Sequence, residues 1–248
     1  MGWVRIAGLV VIVGLLAGYY ALRSHKATTG APEQAGTATH LLLVETDSFD
    51  SSAATITVYQ RGSGSDTWVQ YAGPLPATVG RNGLGWGHTF RDLAGPGEPI
   101  KVEGDKRAPA GVFSLGRPFG LSPDGLAHYM QLEKDMHLCV DDVGSEHYSR
   151  IVPAVAVKPE TSVERMWEIE LYKRGIVVDY PTDRAAKSGS CIFLHVWKNP
   201  ETATVGCVAT SEDTVARLQK WVSEAPNGAW IAIVPRAARG RLGQNLPE

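Results

Sequence analysis

His195 and Cys207 lie twelve residues apart in "HVWKNPETATVGCVAT", and Gly206 directly precedes the cysteine. An imidazole within reach of a thiol can accept its proton and stabilise the thiolate, the species that attacks carbonyls in thioester chemistry. Glycine at 206 lets a substrate carbonyl approach the main chain, and the N–H groups of Gly206 and Cys207 then offer an oxyanion hole. Spacing alone leaves other roles open for Cys207: half of a disulfide, a small buried hydrophobe or a metal ligand. Zinc fits worst. Cys191, His195 and Cys207 read C-x3-H…C, which matches no standard ligand spacing and has no clear fourth ligand.

Strand alternation over "CIFLHVW" (191–197) places Cys191, Phe193, His195 and Trp197 on one face, with the histidine near the strand end. The loop "KNPETATV" then leads back to the cysteine. Other strand signals are "LLLVET" (41–46), "ATITVYQ" (54–60), "TWVQYA" (67–72), "GVFSLG" (111–116) and "AWIAIVP" (229–235). "IELYKRGIVVDY" (169–180) reads as two strands around a turn at Gly175. "SEDTVARLQKWVSEA" (211–225) reads as a helix. Ser211 is a good N-cap, Glu212 and Asp213 suit the first turn, and Val215, Leu218 and Val222 form one apolar stripe. A further helical turn fits 161–166. The expected fold is mainly β with a few helices (α+β), without a βαβ repeat.

Residues 3–22, "WVRIAGLVVIVGLLAGYYAL", carry no charge after Arg5. At about 1.5 Å per residue, positions 6–22 make roughly 26 Å of helix, close to the thickness of a hydrocarbon core. Residues 1–22 read as a signal anchor or a signal peptide, and the lack of a small-x-small cleavage site after the apolar run tilts the reading toward an uncleaved anchor. Residues 23–39, rich in Ala, Thr, Gly and Pro, read as a flexible linker. Residues 40–235 form the expected domain, and 236–248 a loose basic tail. This organisation places the domain outside the cytoplasm, where two of the three cysteines tend to pair and a third is left over. Cys139 and Cys191 could form that pair. A net charge of -2 gives no electrostatic case for nucleic-acid binding.

"GSCIFLHVWKNPETATVGCVA" (189–209) resembles the active-site segment of L,D-transpeptidases of the YkuD type. "GRNGLGWG" (80–87), "KVEGDKRAPAGVFSLGRPFG" (101–120), "CVDDVGSEHYSRIV" (139–152) and "ELYKRGIVVDY" (170–180) resemble upstream blocks of that family, in the family's order. The resemblance implies a YkuD-like β-sandwich catalytic domain in the cell envelope, anchored to the inner membrane and acting on peptidoglycan stem peptides. It implies Cys207 as nucleophile and His195 as proton acceptor and donor. Through a thioester, an acyl group would pass from a D-amino acid to an amine of another stem. No cofactor or metal is implied.

The segment departs from the family's commoner Ser-His-Gly-Cys pattern. Thr204 and Val205 precede Gly206, while Val208 and Ala209 stand where an arginine usually follows. A substrate carboxylate could instead meet Arg81, Lys101, Lys106 or Arg107. His88, Trp197 and Thr204 are further candidates for the substrate groove, and Trp86 suits either the groove or the core. Asp105, Asp141 and Asp142 read as turn formers. The alternatives to transpeptidation are a thiol-dependent L,D-carboxypeptidase or amidase of the same fold, or a degenerate cell-wall-binding module.

Overall fold

A computed structural model describes residues 38–243 and 245–247, so the apolar segment 1–22 lies outside the described residues, as does the linker up to residue 37. Ala38 and Thr39, the end of that linker, are buried. No helix among the described residues is long and apolar enough to cross a membrane.

The chain opens with strand β1 (His40–Thr46), buried along its whole length, then β2 (Ala53–Gln60) and β3 (Val69–Thr78). Short β4 (Leu84–Trp86) precedes the long β5 (Ala108–Gly120), and β6 (Met130–Gln131) follows it. Three small strands come next: β7 (Leu138–Val140), β8 (Ile151–Val152) and β9 (Val163–Arg165). The chain ends with β10 (Gly175–Asp179), β11 (Phe193–Val196), β12 (Val208–Thr210), helix α1 (Glu212–Ser223) and β13 (Ala229–Pro235).

The domain is mostly β with few helices, as expected, but the expected sandwich is absent. The strands pair in the order β10-β11-β12-β3-β2-β1-β13-β5, and β5 pairs again with β10, so the sheet closes into a barrel. Closure removes the free edges that two packed sheets would leave. β1 lies between β13 and β2 and is buried along its whole length, so both of its faces are covered, which explains why 41–44 is apolar without alternation. Helix α1 begins as expected, with Ser211 Oγ accepting from the Thr214 N–H. Its buried Gln219 donates to the carbonyls of Phe119 and Gly175, fastening the helix where β5 meets β10.

Three expectations are corrected. "IELYKRGIVVDY" is not two strands: Glu170–Lys173 is a 3-10 turn that directs Tyr172 into the interior, and only β10 is extended. Residues 163–165 form β9, and the helical turn follows at Met166–Glu168. The C-terminal tail is docked rather than loose. Arg236–Leu242 forms a 3-10 helix with Ala238 and Leu242 buried, and Arg241 makes a forked ion pair with Glu98 at 2.6 and 2.8 Å.

A second sheet, β8-β7-β9, packs outside the barrel and is tied to it by a Cys139–Cys191 disulfide. Between them lies a second apolar cluster including Phe119, Met166, Tyr172, Phe193, Cys191 and Cys207. The larger cluster fills the barrel itself.

Candidate functional site

β11 and β12 run parallel, with Leu194 opposite Val208 and His195 opposite Ala209. One step back along this register, Cys207 stands beside Phe193, and the Phe193 N–H points at Cys207 Sγ, 3.4 Å away. Alternation sends Leu194 and Val208 into the barrel core and Phe193 and Cys207 into the outer cluster. His195 shares the outward face and is the diagonal neighbour of Cys207 across the strand pair.

His195 is 6% exposed, and its Nδ1 lies 2.8 Å from the Val196 carbonyl. A carbonyl can only accept, so Nδ1 carries the hydrogen and Nε2 is left as an acceptor. Burial pushes the imidazole down to about 4, so it is neutral at physiological pH. The Tyr172 ring packs edge-on against it, with centroids 5.3 Å apart.

Cys207 is the free cysteine and is also 6% exposed. Its thiol donates to the Cys191 carbonyl at 3.4 Å. Burial pushes the thiol up to about 12, and the negative charge of Glu164 adds to the effect against the opposing Lys101. The resting site therefore holds a neutral thiol and a neutral imidazole. The Cys139–Cys191 disulfide removes Cys191 from the zinc pattern.

Thr204 shapes the loop that presents the thiol. Its hydroxyl donates to the Cys207 carbonyl at 2.7 Å and accepts from the Gly206 N–H at 3.1 Å. The Gly206 amide is thus engaged within the loop rather than free for an oxyanion, which corrects that expectation. Gly206 sits at φ 152°, and a Cβ there would lie 3.3 Å from the Arg107 carbonyl. Gly206→Ala should therefore lower unfolding stability by about 1–3 kcal/mol through backbone strain. Urea denaturation of the two proteins measures this.

Cys207 opens on a cavity of about 200 Å³ whose wall carries Lys101, Glu103, Lys106, Asp141, Glu164 and Ser190. A larger cavity of about 390 Å³, between β3 and α1, is lined by Tyr71, Leu75, Leu218 and Trp221 among others, but by neither cysteine nor histidine. The smaller one is the candidate site because the free thiol is there.

The remaining sequence candidates are scattered. Arg81 is exposed and meets this region through its main chain, donating to the Thr204 carbonyl. His88 is outside the cavity, with Nε2 3.6 Å from Asp183. Trp197 lies half-buried just past β11 and does not line the cavity, and Trp86 is fully buried in the core. Arg107 is taken up by the carbonyls of Phe49 and Leu84 and the carboxylate of Asp50. Lys101 and Lys106 do reach the wall, although Lys101 Nζ is 2.6 Å from Asp105. Asp105 and Asp142 order turns as expected. Asp141 does not: it lines the cavity, and its Oδ1 is buried without a hydrogen-bond partner.

Sequence reasoning missed Tyr172, Glu164 and Glu103. The Tyr172 hydroxyl donates to Glu164 Oε2 at 2.7 Å, and its ring belongs to the same apolar cluster as Cys207. Glu103 accepts from Tyr148 and Ser190. None of these residues is near His195 or Cys207 in sequence, and no spacing marks them. No family model, curated protein or solved structure matches the chain.

Proposed function

We propose that this chain is a cysteine-dependent acyl transferase of peptidoglycan stem peptides, an L,D-transpeptidase of the YkuD type. The observation that carries the reading is the placement of Cys207: a single free thiol at a cavity, on the same strand face as a histidine whose Nε2 is left as an acceptor. In this reading the thiolate attacks the carbonyl between the L-centre of the third stem residue and the D-residue. The C–N bond breaks, the D-residue leaves with a proton, and an amine of a second stem displaces the thioester. His195 accepts and returns protons, as the resemblance implies. The YkuD-like catalytic fold belongs to the same proposal, as does attachment to the outer face of the inner membrane by residues 1–22. A disulfide within the domain supports an oxidising compartment.

A second reading is hydrolysis of the same thioester, an L,D-carboxypeptidase. It is favoured by Val208 and Ala209 standing where the family usually has an arginine. Incubating the purified chain with a stem tetrapeptide and following products by mass spectrometry separates the two. A dimer with loss of D-Ala supports transpeptidation, and loss of D-Ala alone supports hydrolysis. Neither product, with Cys207→Ala indistinguishable from the parent, overturns both.

His195 also sets a pH dependence. Its folded-state value lies below the unfolded one, so its contribution to stability is full above pH 6.5 and is lost as pH falls toward 4. The loss approaches about 3 kcal/mol. Chemical denaturation at pH 7 and pH 4.5 should show this drop in the parent and a shallower one in His195→Gln. Acyl transfer by the folded protein should hold through this range and fall only as pH approaches 4, because the ring stays neutral until its folded-state value is reached.

A further inference from the structure

We propose that the groove between β3 and α1 docks this domain onto anionic phospholipid headgroups at the bilayer surface. The inference rests on the reading of residues 1–22 as a membrane anchor. The groove is the cavity of about 390 Å³ described above, and none of the residues around the thiol lines it.

Two unlike walls form it. On the sheet side, Val58 pairs with Ala72 and Tyr59 with Gln70, which leaves Tyr71 as the extra residue of a β-bulge. Bulges re-aim side chains, and the Tyr71 side of the groove is open: this residue is 64% exposed. On the helix side, Arg217, Leu218, Trp221 and Glu224 recur at three- and four-residue steps, so they share one face of α1. Buried Val58, Leu218 and Trp221 make the floor apolar, while Arg217 and Lys220 stand exposed along the rim.

The charges favour an anion. Arg217 makes no ion pair among the described residues. Lys220 meets Glu224 at 3.9 Å, but both side chains are mostly exposed, and such a pair contributes little in water. Two cations above an apolar trough, with a tyrosine opposite, suit the bilayer interface. Tyrosine rings settle at headgroup level, and lysine and arginine near the surface are drawn to anionic lipid.

The course of the chain brings this face to the membrane. His40 opens β1, and its ring packs on Trp221 with centroids 4.7 Å apart. Arg61 holds the residue two places earlier, donating to the Ala38 carbonyl at 2.7 Å. The chain therefore enters the domain beside the groove. Only residues 23–37 separate that point from the apolar segment, a reach of at most about 50 Å when fully extended. A tether of that reach keeps the groove at high effective concentration near the headgroups, so weak contacts suffice to dock it.

The test uses the full chain in vesicles of phosphatidylcholine with an equal share of phosphatidylglycerol. A trace of either lipid carries a photoactivatable diazirine near its headgroup, and cross-links are mapped by peptide mass spectrometry. The phosphatidylglycerol probe should mark residues 69–75 and 217–224, and the phosphatidylcholine probe should mark them roughly 10-fold less. Arg217→Glu with Lys220→Glu should lower groove labelling roughly 10-fold while labelling of residues 1–22 persists. Because both positions are exposed, the melting temperature should stay at the parent's value. Raising salt to about 0.5 M should weaken groove labelling in the unaltered parent, which needs no variant to fold. Labelling of residues 1–22 without labelling of the groove overturns the docking alone. So does groove labelling that ignores lipid charge, the double variant or salt. So does hydrogen-exchange protection of 69–75 and 217–224 by a soluble muropeptide in a parent that lipid does not label, which would make the groove a glycan site. No labelling of residues 1–22 overturns the anchor reading, and the docking with it.

Discussion

Replacing Cys207 by alanine is expected to abolish thioester formation, lowering the rate of acyl transfer by at least about 10³-fold. No other thiol can substitute, because Cys139 and Cys191 are joined in a disulfide. The change removes only a sulfur from a site packed by Phe193, Tyr172 and Cys191, so its effect on folding should stay within about 1–2 kcal/mol. Activity and stability therefore separate, and intact-mass detection of the acyl-enzyme beside a thermal melt reads both. Cys207→Ser should be almost as inactive, since a hydroxyl, a far weaker acid than a thiol, must then be ionised. Full activity in either variant would mean that the nucleophile is elsewhere.

Removing the disulfide with Cys139→Ala and Cys191→Ala should produce the largest loss of stability. The bond closes a loop across a sequence separation of 52 residues. In the chain-entropy account such a loop contributes about 4 kcal/mol, which lowers Tm by roughly 8–16 °C for a chain of this size. The loss is also local. The bond ties the outer sheet to the segment leading into β11, and Cys139 pairs with Glu164 across β7. Loosening it should disturb the cavity wall that Asp141, Glu164 and Cys191 form beside Cys207 and slow acylation before the barrel unfolds. Thermal melts with and without dithiothreitol measure the first effect: the parent should fall to the level of the double variant, and the variant should not respond. A Tm within about 2 °C of the parent would show that other contacts hold the outer sheet in place.

The strands and the helix were largely legible because their signals are local. "AWIAIVP" and "ATITVYQ" carry β-branched and aromatic residues bounded by turn formers, and Ser211 with two acids announces a helix start. Tyr172 was misread for the opposite reason. "ELYKR" has enough alternation to resemble a strand, but its conformation is set by where the ring goes: against Phe119, Phe193 and His195 at 5.7, 5.4 and 5.3 Å. The tail was read as loose from its composition, yet Leu242 finds the core and Arg241 finds Glu98, a partner distant in sequence.

By itself the sequence determined which residue types stand close together at the candidate site. One histidine, one cysteine after a glycine, and a strand ending in a return loop are matters of residue type and short spacing. It also determined that the domain is built mainly from strands. Tertiary structure decided the rest. Barrel closure depends on β5 pairing with β10, and the cavity wall on Glu164 of β9 and Cys207 just before β12 reaching the same space, arrangements of segments far apart in the chain that no local periodicity encodes. The charge environment of Cys207 followed from the same packing. Glu164, Asp141 and Glu103 come from three separate segments, and burial first, then the charge of Glu164, not spacing, hold the thiol neutral at rest.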